Sequence, residues 1–175
     1  MSEYEFTLTF TLSSPGIDVD NLVERLGAAG CDDATIGVGA RGRVALSFVR
    51  EAESAAKAVF SGIAEVKRAI PDATLIEASP DLVGLTDVAE LLGVTRQNVR
   101  KLMLDCEALA PAPVHDGRPT IWHLAKVLGW LLEEKSYPLK EDLVELACTT
   151  MQINLAIGSK DTDRAAQREI LALLA

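Results

Sequence analysis

The residues from Thr95 to Lys101 read TRQNVRK, and five of them have side chains suited to recognition chemistry. Arg96 and Arg100 carry planar guanidinium forks that match the O6 and N7 acceptors of guanine. Gln97 and Asn98 carry amides that pair in a bidentate manner with adenine, and Lys101 is a point charge suited to phosphate. Within Val94–Leu104 there are three cations and no acidic residue, so the segment is a local basic island. The N-terminal residues of a groove-binding helix reach deepest, which makes Arg96, Gln97 and Arg100 the expected base readers. Thr95 is placed to cap such a helix and to touch a phosphate, as is Thr86 for a helix just before it.

Side chains of this kind need an element that presents them together. The stretch Leu85–Met103, LTDVAELLGVTRQNVRKLM, predicts two short helices joined by a tight turn. Gly93 interrupts the apolar periodicity and supplies a positive-φ conformation at little steric cost. Ala89 lets a second helix approach closely, while Val99 and Leu102 fall where the two helices share a core. This is a helix-turn-helix pattern.

Downstream, Ala110-Pro111-Ala112-Pro113-Val114 is held extended by its prolines. His115-Asp116-Gly117-Arg118 then carries the Asp-Gly pair favoured in type I′ hairpins, with Thr120-Ile121 as the returning strand. Residues 112–121 thus predict a wing in which His115 and Arg118 project toward a nucleic-acid backbone or minor groove. Trp122–Glu134 predicts an amphipathic helix whose Leu124, Val127, Leu128 and Leu131 pack back on the first two. His123, just inside that helix, is expected to be structural.

From about Gly84 to Glu134 the chain resembles the winged helix-turn-helix domains of the MerR, excisionase and AlpA-like regulators. The resemblance rests on LTDVAELLGVTRQNVRKLM followed by APAPVHDGRPTIWHLAKVLGWL. It implies double-stranded DNA as partner, with the helix Val94–Leu104 in the major groove. The long coiled-coil helix and effector-binding cysteines of many MerR proteins have no counterpart here, so metal-responsive behaviour is not implied.

The N-terminal part predicts a different unit. Tyr4–Leu12 alternates apolar with Thr and Glu, the mark of a strand with one buried face. Asp18 or Asp20 can cap a helix Asn21–Ala29 with Leu22, Val23 and Leu26 inward and Gly30 at its end. Strands at Asp33–Val38 and Arg43–Val49, a helix at Glu51–Ala69 stopped by Pro71, and a strand at Thr74–Glu77 follow. The order βαββαβ implies a ferredoxin-like antiparallel sheet over residues 1–79, and hence an α+β chain. Ser79-Pro80-Asp81 reads as the connection to the winged unit at 82–135. Residues 137–175 read as C-terminal helices: one starts at Pro138 and runs to about Ile157, with Gly158 at its end. The second exposes Ile170, Leu171 and Leu174 as a stripe suited to forming a homodimer. Such a dimer would set two recognition helices about 34 Å apart, one DNA turn, on a near-palindromic site.

Composition narrows the function classes. The chain has 175 residues, 49% of them hydrophobic, and a net charge of −9, which disfavours nonspecific binding to polyanions. The acid is concentrated upstream: residues 1–81 hold seven basic and thirteen acidic side chains. Two histidines support neither a metal triad nor a Ser-His-Asp set, so neither an enzyme nor a cofactor is expected. Cys31, Cys106 and Cys148 share no paired spacing and are expected to be buried small hydrophobes. Gly37-Val38-Gly39-Ala40-Arg41-Gly42 matches GxGxxG, but a strand follows it where a dinucleotide site needs a helix. A hairpin is expected there, with Arg41 and Arg43 near its tip. The acidic N-terminus and the lack of a long apolar run predict a cytoplasmic chain with no membrane partner. Two further classes stay open. One is a protein-interaction adaptor or antitoxin-like partner protein. The other is a ligand-sensing regulator holding a small ligand in the N-terminal domain, where the Pro15-Gly16 loop resembles the ligand loop of ACT domains.

Overall fold

The computed structural model describes residues 1–13, 18–39, 42–104, 110–135 and 137–174, a mixed α+β chain. The first 79 residues build strands β1 (Ser2–Thr11), β2 (Ala34–Val38), β3 (Arg43–Ala52) and β4 (Thr74–Ser79), and helices α1 (Val19–Ala28) and α2 (Ala55–Ala69). The four strands form one antiparallel sheet in the order β2-β3-β1-β4. Alternation in β1 buries Tyr4, Phe6, Leu8 and Phe10, and that in β3 buries Val44, Leu46 and Phe48, all against α1 and α2.

Several boundaries differ from the sequence reading. Glu51 and Ala52 extend β3, because their backbones pair with Glu3 and Ser2; α2 therefore starts after Ser54, whose hydroxyl accepts the Lys57 N–H at 3.2 Å. In α1 the inner face is Leu22 and Leu26, while Val23 is exposed; Asp18 caps the helix and Gly30 follows it at φ 100°. The GxGxxG segment begins in β2, where Gly37 and Val38 pair with Ala45 and Val44 of β3, and ends just before β3, with the Gly39 N–H bonded to Arg43 O at 2.8 Å and Gly42 at φ 70°. Arg43 is exposed there; Arg41 and the Pro15-Gly16 loop lie outside the described residues. Cys31 is buried as expected but Cys148 is exposed, because it falls on the outer side of a helix; Cys106 lies outside the described residues.

Arg50 does not follow the polar–apolar alternation of β3. It occupies an inward position of the strand and is only 8% exposed. Its Nε and Nη2 donate to the Asp33 carboxylate at 2.6 and 2.8 Å, Nη2 also to Glu65 at 2.7 Å, and Nη1 to the Ser61 hydroxyl at 2.7 Å. The guanidinium stacks 4.8 Å from the Phe48 ring centroid. These partners hold it protonated well above its ordinary range, the Asp33 hydrogen bonds contributing most.

Beyond Ser79 come β5 (Leu82–Val83), α3 (Leu85–Leu92), α4 (Arg96–Leu104), β6 (Trp122–His123), α5 (Leu124–Lys135), α6 (Glu141–Gly158) and α7 (Arg164–Leu174). Trp122 and His123, expected at the start of a helix, form β6 and pair with Val83 and Leu82. The Leu124 N–H goes to Asp81 O at 2.6 Å, and the helix begins only there. Likewise α6 starts at Glu141 and not at Pro138: the first helical bonds return to Lys140 O, from Leu143 and Val144. Leu124, Val127, Leu128 and Leu131 are all fully buried, as the amphipathic pattern requires.

Helix α6 belongs to both cores. Leu146 packs into the sheet core, whereas Ala147 and Met151 pack into the helical one. Its Asn154 side chain closes the outer edge of β4: Oδ1 accepts the Ala78 N–H at 2.8 Å and Nδ2 donates to Ala78 O at 2.7 Å. An amide thus takes the place of a neighbouring strand. No helix among the described residues is long and apolar enough to cross a membrane.

Candidate nucleic-acid interface

The α3–α4 turn is set by backbone chemistry. Gly93 adopts φ 64° and ψ 30°; its N–H reaches Glu90 O at 3.2 Å and the Val94 N–H reaches Ala89 O at 2.9 Å. The two bonds form a Schellman closure, which satisfies carbonyls at the helix end and turns the chain sharply. Thr95 then caps α4 as expected, its hydroxyl accepting the Asn98 N–H at 3.2 Å. Thr86 is not a cap. The N-cap of α3 is Gly84, whose N–H is held at 2.7 Å by the Asp87 carboxylate, and Thr86 lies one position into the helix, exposed.

Burial fixes the phase of α4. Val99 is 1% exposed and Met103 is also buried, so both face the core made with Val88, Ala89, Leu124 and Leu128. At about 100° per residue, the positions opposite that side are Gln97 and Lys101. Arg96 and Arg100 lie on the flank nearest Met103, and Asn98 lies on the other flank. All five are exposed, as is Thr95. None of the three cations makes an ion pair among the described residues.

The segment expected to form a wing is held by one isolated bridge. His115 pairs with Ile121: the Ile121 N–H donates to His115 O at 3.0 Å, and the Val114 N–H donates to Ile121 O at 2.8 Å. Residues 116–120 close it, with the Thr120 hydroxyl donating to Gly117 O at 3.1 Å. A two-residue type I′ turn is therefore ruled out; Gly117 lacks the positive φ such a turn demands, since the loop is longer than the Asp-Gly pair implied. The His115 imidazole lies against Gly117, so a side chain at 117 would displace it. His115 and Arg118 are exposed. The Trp122 indole N–H donates to Pro111 O at 3.1 Å, pinning the proline-rich lead-in to the core.

Between α4 and the segment 110–120 runs a cleft of about 440 Å³, bounded by Arg100 and Met103 on one side and by Pro111, Pro113 and Asp116 on the other. The structure thus places Arg100 on one cleft with Pro111 and Pro113, and adds Asp116, which the sequence presented only as a turn residue. The signal for Asp116 was its charge: it is the lone acid in a loop otherwise expected to meet an anion.

The orientation of this unit on the sheet is set by Asp81, which is 3% exposed. Its Oδ1 is 2.7 Å from His123 Nδ1, and its Oδ2 accepts from Asn154 Nδ2 at 2.8 Å. Thr150 on α6 adds a bond to Pro80 O at 2.5 Å. His123 is therefore structural, though in a strand. Among the described residues no group of three His, Cys, Asp or Glu side chains is placed to hold a metal ion.

Comparison with protein-family models, with curated proteins and with solved structures finds no match. The geometry of the site is consequently the basis for assigning a function.

Proposed function

We propose that this chain is a sequence-specific DNA-binding regulator of transcription, acting in the cytoplasm without catalysis. In this reading a ferredoxin-like N-terminal domain carries a winged helix-turn-helix of the MerR, excisionase and AlpA-like type. Helix α4 enters the major groove, and the wing meets the backbone or minor groove. The carrying observation is that Arg96, Gln97, Asn98, Arg100 and Lys101 are all exposed on a helix whose opposite side is locked into a core. A solvated helix in a protein of net charge −9 would be expected to mix signs; the polar side chains of this one are cations and amides only.

The phase of α4 refines the roles. Gln97 and Lys101, the outermost positions, are the deepest probes of the groove. Arg96 and Arg100 approach guanines or phosphates on the wing side, where Arg118 and His115 supply the second contact and Thr95 and Thr86 lie near the strands. Asp116, which lines the same cleft as Arg100, disfavours a phosphate at that one point.

The test is a mobility-shift titration against the DNA upstream of the protein's own gene, repeated over a range of ionic strength. Selective binding that weakens steeply with salt is expected, because each phosphate contact releases counterions. Binding of equal strength to unrelated duplexes, or none at low salt, would sink the assignment and turn attention to a protein partner for the same face.

A further inference from the structure

We propose that α7 is a self-association helix that pairs antiparallel with α7 of a second copy of this chain. The helix has eleven residues, about 16 Å by its rise, and none of its side chains is buried. Isolated helices of that length are marginal in water. A surface must therefore complete it, and its apolar residues define which. Ala166, Ile170, Leu173 and Leu174 recur at helical spacing with Leu171 at their margin; Ile170 is 54%, Leu171 60%, Leu173 86% and Leu174 77% exposed.

Two features select a second copy over other occupants. The first is area. The four large side chains offer on the order of 500 Å² per copy, so a two-fold pair reaches the roughly 1,000 Å² at which specific interfaces begin. The second is charge. Arg164 and Arg168 occupy the first half of α7, the end where a helix dipole disfavours cations. An antiparallel copy brings those arginines beside its partner's C-terminal carbonyls, where cations are favoured. A two-fold axis at Ile170 also sets Leu174 opposite Ala166, a large side chain against a small one. An anionic membrane is a poor alternative for a chain of net charge −9.

The experiment is sedimentation velocity on the full chain without DNA, so its outcome is independent of the DNA-binding assignment. A concentration-dependent species of twice the 18.7 kDa chain mass is expected in the micromolar range. Ile170→Glu combined with Leu174→Glu should yield monomer at every concentration, with circular dichroism retained apart from the α7 contribution. A wild type that stays monomeric throughout overturns the proposal, as does a dimer that survives the double substitution. In a Cys106→Ser, Cys148→Ser background, Ile170→Cys should cross-link between chains with a short bismaleimide, whereas Ala165→Cys, on the far side of α7, should not. Equal cross-linking at both sites overturns the antiparallel arrangement.

Discussion

Arg50 and the pair Arg96 and Arg100 carry the same guanidinium group in opposite circumstances. In the sheet half Arg50 is buried and its donors are taken up by Asp33, Glu65, Ser61 and Gly30 of its own chain. On α4 the two arginines are exposed and paired with no described acid. A cation whose donors are satisfied internally serves the fold, and one held on a rigid helix without partners is available to something else. The acidic balance of the N-terminal half has the same explanation in part: two of its acids are there for Arg50, and such pairing adds nothing to the attraction for a polyanion.

The contrast can be broken most severely on the α4 side. Arg96→Ala together with Arg100→Ala should weaken selective DNA binding by about 1–3 kcal/mol per contact, roughly thirtyfold or more in all, while leaving the melting temperature unchanged. Mobility shifts and thermal melts on one preparation check both halves of the statement. Arg50→Ala should do the reverse. It strands the Asp33 and Glu65 carboxylates, whose side chains are 29% and 19% exposed. The expected loss of stability is about 2–3 kcal/mol, less than for a fully dry pair because both acids keep some water. Denaturant titration measures that loss, and DNA affinity per folded molecule should not move.

Smaller effects sharpen the boundary between the two roles. Gly93→Ala meets no steric obstacle, since no atom lies within 4 Å of the added carbon, yet it forces a side chain into the left-handed region. A loss of about 1–2 kcal/mol in a chemical melt is expected. Near Arg50, burial pushes the Cys31 thiol up to about 11 from 9.0. The folded chain then keeps a proton that the unfolded chain gives up. Stability is accordingly full below pH 9 and declines as pH rises toward 11, and Cys31→Ala should flatten that decline. Under native conditions a maleimide should modify the exposed Cys148 well before Cys31.

The two helices α3 and α4 and their turn were legible because each part is local: a glycine at the turn, a threonine cap three residues before the N–H it accepts, and Val99 on the core side. The sheet was legible through the alternation in β1 and β3. What escaped were interactions between residues distant in sequence. The strong amphipathicity of Leu124–Leu131 makes Trp122 and His123 read as helix from sequence; only the pairing with Leu82 and Val83, about forty residues earlier, makes them a strand. Arg50 interrupts the inward series Val44, Leu46, Phe48, and a charge at such a position was itself a signal of a buried partner. Asn154 gave no signal at all, because an asparagine inside a helix says nothing about which strand edge it will meet.

Helix α6 has a consequence for how the molecule comes apart. Leu146 on one side and Ala147 and Met151 on the other tie two hydrophobic cores to a single rod, and Asn154 bonds both β4 and Asp81. Neither half can lose its structure without stripping that rod from the other. The sheet and the helical unit should therefore melt in one cooperative transition, with equal calorimetric and van't Hoff enthalpies, where two tethered domains would give two.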